Sequence, residues 1–275
     1  MRISTTILLT DESIRPDRLA RELEQRGFGG LYLPEHTHIP VSRRSRPPMG
    51  GELPAPYLRT LDPFVALAAA ATATERLALG TSVTLLAEHD PIALAKQIAT
   101  LDWLSGGRFT LGVGFGWNEE EAADHGVVWR TRRELVRERM GVMRALWAPE
   151  PTAYEGAYAS VSASFAHPKP QRPGGPRLLL GGQAGPRLFA AIAEYADGWI
   201  PTGGSGLTES LPRLRAVWTG EGRAGAPEVV PSFVLPTAGK LEHFRGLGVE
   251  EVVLQLPSGG DDEVRRALDD YARYL

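Results

Sequence analysis

Two rhythms of apolar residues alternate along the chain: short runs of strand character, and longer stretches spaced as one face of a helix. Residues 3–9 read as a first strand. Residues 11–27 follow as an amphipathic helix, with Leu19 and Leu23 on one face and Gly27 as its stop. Residues 30–34 (GLYLP) form a second strand, and 39–60 a long loop rich in Pro, Gly and Arg. A loop of that length in a compact fold is usually functional or disordered. Residues 61–74 form a helix of small residues, whose alanines suit close packing against another helix, in this chain or in a second subunit.

The pattern is clearest over 77–118, which reads strand, helix, strand. The helix over 89–104 opens at Asp90-Pro91 and stops at Gly106-Gly107, and the second strand covers 108–115. Two strands joined by a helix are neighbours in a parallel sheet. Beyond them come a connector at 119–127, a long charged helix at 129–147 and an irregular, Pro-rich segment at 148–175, with a short hairpin around 154–165. Strands then fall at 177–180, 198–201, 229–235 and 251–256, alternating with helices at 187–196, 207–218, 239–247 and 261–275. Eight βα units in 275 residues make an α/β fold, a single (β/α)8 TIM barrel with insertions after strand 2 and before strand 5, one domain spanning 1–275. A two-domain Rossmann arrangement would split this alternation. The glycines at 112–116 also lack the spacing of a dinucleotide fingerprint and its downstream acid.

Composition narrows the chemistry. With no cysteine, thiol catalysis, disulfides and thiolate metal sites drop out. A net charge of -3 gives no case for nucleic acid or an anionic membrane surface. The N-terminal stretch reaches Asp11 and Glu12 after a brief apolar run, so neither a signal peptide nor a membrane span is expected and the protein reads as cytoplasmic.

In a parallel barrel the site lies at the carboxyl ends of the strands. Glu35, His36 and His38 follow strand two, and a histidine there can deliver or accept a proton near neutral pH. Gly80 to Thr84 follow strand three. Gly112 to Asn118 follow strand four, with Trp117 as a second pocket candidate beside His38. Gly181, Gly182, Gln183, Ala184 and Gly185 lead into a helix beginning near Arg187, where backbone N–H groups and the helix N-terminus suit a phosphate. Arg43, Arg44 and Arg46 form the densest basic cluster of the long loop, a landing site for an acidic ligand or simply a solvated segment. His36-Thr37-His38 resembles the HxH of metal-dependent hydrolases. The fifth, sixth and eighth strands end in Gly181, Thr202 and Pro257 with no further ligand, so no metal is expected.

Taken in order, Glu35-His36, Gly80-Thr81-Ser82-Val83, the segment Ser105 to Glu121, and Gly181-Gly182 followed by Ala190 to Pro201 resemble the bacterial luciferase-like flavin and deazaflavin oxidoreductases. The resemblance covers nearly the whole chain and leans toward the branch that uses coenzyme F420. It implies a TIM barrel, a non-prolyl cis peptide at Ser82-Val83 backing the cofactor ring, and cofactor contacts from Glu35, Thr84, Asn118, Phe115 and the Gly181–Arg187 turn. In that family the acidic residue before the His is more usually Asp, so Glu35 reaches further. Phe115 is taken to stand where sugar-phosphate dehydrogenases of the family hold a catalytic Glu, which argues against glucose-6-phosphate and suits an apolar substrate. The implied activity is hydride transfer between F420 and a small molecule, with His36 and Glu35 at the chemistry, in a homodimer. The alternatives are an FMN-dependent monooxygenase fed by a separate reductase, and a barrel that binds flavin or deazaflavin without turnover.

Overall fold

The computed structural model describes residues 1–42, 44–48 and 50–275. Strand β1 (Arg2–Thr6) is followed by α1 (Pro16–Arg26), β2 (Gly30–Leu33), α2 (Pro63–Ala73), β3 (Ala78–Thr81), α3 (Pro91–Ser105), β4 (Phe109–Val113), α4 (Glu119–Asp124) and α5 (Arg132–Trp147). A small hairpin, β5 (Tyr154–Glu155) and β6 (Ser160–Val161), precedes β7 (Arg177–Gly181), α6 (Pro186–Tyr195), β8 (Gly198–Ile200), α7 (Leu207–Gly220), β9 (Glu228–Val229), α8 (Ala238–Gly246), β10 (Glu251–Gln255) and α9 (Asp261–Ala272).

Among the described residues, eight strands form one parallel sheet in the order β10-β1-β2-β3-β4-β7-β8-β9. The sheet closes on itself beyond β9. Val234 bridges Leu254 in parallel, Val253 N–H donates to the Pro231 carbonyl at 2.8 Å, and Gln255 N–H donates to the Val234 carbonyl at 3.0 Å. This is the expected (β/α)8 barrel. The seventh strand is broken where an unbroken run over 229–235 was expected. Pro231 has no N–H to give the ladder, and Phe233 sits in the left-handed region at φ 57°.

Short local signals set the helix ends. Asp62 and Asp90 each precede a proline at the first helical position and accept a backbone N–H three residues on, both at 2.8 Å. Helix α1 starts at Pro16 rather than residue 11, because 10–15 are spent on a turn in which Thr10 bridges Thr60. The alanines of α2 are used within the chain: Ala66, Ala70 and Ala71 are buried, and α2 packs on α1 and α3. The hairpin β5–β6 is tied down by Glu138 of α5, which accepts the N–H groups of Ala157, Tyr158 and Ala159.

Inside the barrel, side chains are packed from floor to mouth. At the floor, buried Glu251 accepts from Arg2, Ser4, Tyr32 and Arg177. Burial opposes its ionisation, but the two guanidiniums outweigh it and hold the carboxyl below its ordinary range. The Tyr32 ring takes the space that a side chain at residue 80 would need, since a Cβ on Gly80 would lie 2.5 Å from it. Above it, Leu179, Ile200, Val230 and Val253 fill the interior, and Val83 packs on them from the mouth side. No helix among the described residues is long and apolar enough to cross a membrane.

Candidate functional site

The segment after β3 shapes the mouth. The Ser82-Val83 peptide is cis. Val83 is set into the barrel opening and cupped by glycines of the next two strands. A Cβ on Gly114 would lie 2.3 Å from Val83 Cγ2, and one on Gly181 2.9 Å from Val83 Cγ1. One on Gly112 would lie 2.0 Å from the Thr81 carbonyl oxygen. These three positions are glycine because the chain approaches too closely for any side chain. The Ser82 hydroxyl meets the Ser232 hydroxyl across the barrel at 2.7 Å, joining the third strand to the seventh. Val83 itself stays half-buried, so one side of it faces the opening.

Glu35 is buried, and both carboxylate oxygens have partners. One accepts the Leu85 N–H at 2.7 Å, and the other lies 2.8 Å from His89 Nε2. The carboxylate therefore braces the turn that follows Val83. Burial works against a charged His89, but the Glu35 hydrogen bond and charge outweigh it and raise its pKa.

His36 is buried between two aromatic rings and a carboxylate. Its Nδ1 lies 2.6 Å from Glu121 Oε2, and Trp117 Nε1–H donates to its Nε2 at 3.3 Å. A donor at Nε2 makes that nitrogen the lone-pair side of a neutral ring, which leaves the proton on Nδ1, toward Glu121. The Tyr57 ring stands 5.5 Å from the imidazole and the Trp117 ring 5.6 Å, centre to centre. The second Glu121 oxygen accepts the Thr37 N–H at 3.0 Å. Thr60 donates its hydroxyl to the His36 carbonyl at 3.0 Å, so the end of the long loop closes over the histidine.

Neighbouring residues on α4 hold the near end of that loop. Glu120 accepts from the Ser42 hydroxyl at 3.1 Å, the Arg44 N–H at 2.9 Å, and the Ser45 N–H and hydroxyl. The Ser45 hydroxyl and these backbone donors lower its pKa to about 2. Arg44 is exposed, with its guanidinium 3.6 Å from Glu120, and Arg46 is exposed. Arg43 lies outside the described residues.

The other expected residues fall as follows. Asn118 is buried and caps α4, accepting the Glu121 N–H at 3.4 Å. Phe115 lies in the core with the Arg133 guanidinium 4.2 Å above its ring, and it is Trp117 that reaches His36. His38 diverges from His36 to lie 3.0 Å from Asp124. No three His, Asp or Glu side chains among the described residues are grouped to hold a metal ion. Gly182, Gln183 and Ala184 are exposed, and no protein acceptor among the described residues takes the N–H groups of Gln183 or Ala184. They lead into α6, which starts at Pro186 with no side-chain cap and with Arg187 exposed in its first turn. Tyr57, Glu121 and Ser232 were not anticipated. Of these only Glu121 carries a local signal, the Asn118-x-x-Glu121 spacing of a capped helix start.

Residues 15–242 match the family model described as luciferase-like monooxygenase. The chain belongs to the luciferase-like monooxygenase family. It is 43% identical over 279 residues to the Uncharacterized protein Rv0953c of Mycobacterium tuberculosis, covering all of this chain and 96% of that one. It is 35% identical over 195 residues to an F420-dependent glucose-6-phosphate dehydrogenase of Beutenbergia cavernae, covering 68% of this chain and 53% of that protein. An F420-dependent secondary alcohol dehydrogenase, solved with an F420-acetone adduct, superposes with a TM-score of 0.79 over all of this chain and 98% of its own, at 18% identity. This luciferase-like chain is an oxidoreductase, and the buried His36–Glu121 pair at the barrel mouth is its candidate acid–base group.

Proposed function

We propose that the protein binds coenzyme F420 and transfers hydride between it and a small organic substrate, with His36 exchanging the accompanying proton. The observation that carries this reading is the His36 ring held between Glu121 and Trp117 after β2, while the paired neighbour β3 is followed by a glycine-cupped Val83 that offers an apolar surface. The F420-dependent relatives support the choice of cofactor.

The residues present fit such a group at two places. Ser82, Val83 and Thr84 would lie against a planar ring system, with Glu35 holding their turn in place. The free N–H groups of Gln183 and Ala184, the uncapped start of α6 and Arg187 would receive a phosphate, and the space around Gly185 is open. Bound F420 supplies a carbon that accepts or releases hydride. The protein's part is to hold the partners at transfer distance, exclude water and manage the proton. His36 Nε2 takes a proton from a substrate hydroxyl once the indole N–H gives way, and Glu121 stabilises the imidazolium through Nδ1–H. In the reverse direction the imidazolium donates that proton to a carbonyl oxygen. Phe115 and Asn118 contribute as supports of the mouth, through the core and the α4 cap.

The family's monooxygenases favour a second reading, an FMN-dependent oxygenase served by a separate reductase. Titration of the purified chain with F420 and with FMN at fixed salt separates the two. Selective micromolar or tighter F420 binding is expected. Selective FMN binding moves the assignment to oxygenation, and binding of neither overturns both. His36→Asn then abolishes proton-coupled turnover while cofactor affinity holds.

A further inference from the structure

One buried carboxyl at the mouth has no part in that scheme. Glu88 ends the short turn Leu86–Glu88, and its side chain is 3% exposed. Among the described residues its Oε2 has no hydrogen-bond partner. The histidine nearest to that oxygen is His125, with Nε2 at 3.9 Å, a side chain 27% exposed, and the same nitrogen 2.7 Å from the Thr37 hydroxyl. Oε1 looks toward Gly116, where a Cβ would stand 3.8 Å away.

The charged groups around it are Glu35 from the β2 loop, Glu121 from α4, His125 just after α4, and His89 beside it on its own turn. Arg139 from α5 donates to the Leu86 carbonyl at 3.1 Å. His89 is taken by Glu35. Glu88 is thus a carboxyl out of water, near two carboxylates, with no cation among the described residues bonded to it. Burial first, then the charges of Glu121 and Glu35, push its pKa up to about 9. Burial and the neighbouring His38 push His125 down.

We propose that Glu88 is the proton counterweight of the site: a carboxylic acid while His36 is neutral, it ionises through His125 to solvent when His36 gains a proton. The coupling runs through Glu121, which touches His36 and acts on Glu88 by its charge. An imidazolium at His36 offsets the Glu121 charge and so removes one of the two neighbours that hold the Glu88 proton in place. In alcohol oxidation the substrate O–H breaks and the His36 Nε2–H forms. The Glu88 O–H then breaks, and its proton passes to His125 Nε2 as the Thr37 hydroxyl turns away from that nitrogen, and from His125 on to water. In carbonyl reduction the same steps run backward. Only protons move between these groups, and the mouth keeps its net charge. Glu88 acts through His36 and is a positioning residue for the reaction. The inference rests on the reading of His36 as the proton-exchanging group.

The test uses the full chain without cofactor. Infrared spectra recorded from pH 7 to 10.5 should show a protonated-carboxyl band that disappears with a midpoint near 9 in the parent and is absent in Glu88→Gln. The ring resonances of His36, assigned with His36→Asn, should show an inflection over the same range in the parent and none in Glu88→Gln. Gln matches the shape and neutrality of the protonated acid, so a merely structural Glu88 would leave the His36 signal of the two proteins alike. No carboxyl band titrating above pH 7, a band that survives in Glu88→Gln, or His36 resonances blind to this range overturns the proposal. None of these readouts involves F420, so failure of cofactor binding and failure of the counterweight are told apart.

Discussion

Trp117 donates its indole N–H to Nε2 of His36 at 3.3 Å, and the opposite ring nitrogen lies 2.6 Å from Glu121. The two contacts select one tautomer, with the Nδ1 proton toward Glu121 and the Nε2 lone pair toward the indole. Trp117→Phe keeps an aromatic ring, though a smaller one, and removes the donor. One net hydrogen bond of about 1 kcal/mol corresponds to a loss of roughly 5-fold in kcat/KM, with unchanged F420 affinity. Nitrogen NMR of the imidazole should show the second tautomer appearing. An unchanged tautomer balance would remove Trp117 from this role.

The glycines at the mouth differ in what a methyl group would meet, and their alanine variants should rank accordingly. Gly112→Ala meets backbone at 2.0 Å and should be the worst, Gly114→Ala meets Val83 at 2.3 Å, and Gly181→Ala meets it at 2.9 Å. Overpacking of this kind costs about 1–3 kcal/mol and lowers the melting temperature. Gly185 has an extended backbone and open space, so Gly185→Ala should melt within about 1 kcal/mol of the parent. Thermal melts of the four variants check the order.

Ser82 and Ser232 are each other's partner in a buried setting. Removing one hydroxyl leaves the other unsatisfied at about 1–3 kcal/mol, whereas removing both is much cheaper. A denaturant double-mutant cycle with Ser82→Ala and Ser232→Ala should therefore be strongly non-additive. Additive losses would mean that the two hydroxyls do not depend on each other.

Glu120 is held at about pKa 2 by donors from the long loop, against an ordinary carboxyl near 4.3. A lowered folded-state pKa gives stabilisation that is complete above the ordinary value and is lost as pH falls toward 2. The protection factors of the Arg44 and Ser45 amides, taken against the intrinsic exchange rate at each pH, should fall on acidification from pH 5 to 2.5. In Glu120→Gln the same amides should exchange fast already at pH 6, with the barrel core unaffected.

The barrel was legible because burial decides it. Apolar runs such as Leu178–Leu180 and Val252–Leu254 sit where the alternation of rhythms put them. The expected pattern departs from the structure where one backbone feature overrides hydrophobicity, as at Phe233, which breaks the seventh strand. At the site, residues next to strand ends were readable: His36, Ser82, Val83, Trp117 and the Gly181–Gly185 turn. Glu121, Tyr57 and Ser232 were not, because each reaches the mouth through tertiary packing. Asn118 shows the converse difficulty, since a polar residue at a strand end serves equally well as a helix cap.

Val83 packs on top of a filled interior, and Glu251 with its arginines occupies the far end. There is accordingly a single direction of entry. If F420 lies against Val83 as proposed, it has to arrive before its substrate and depart after it. Steady-state kinetics should obey a compulsory order, and a ligand trapped beneath its partner should leave no faster than the partner does.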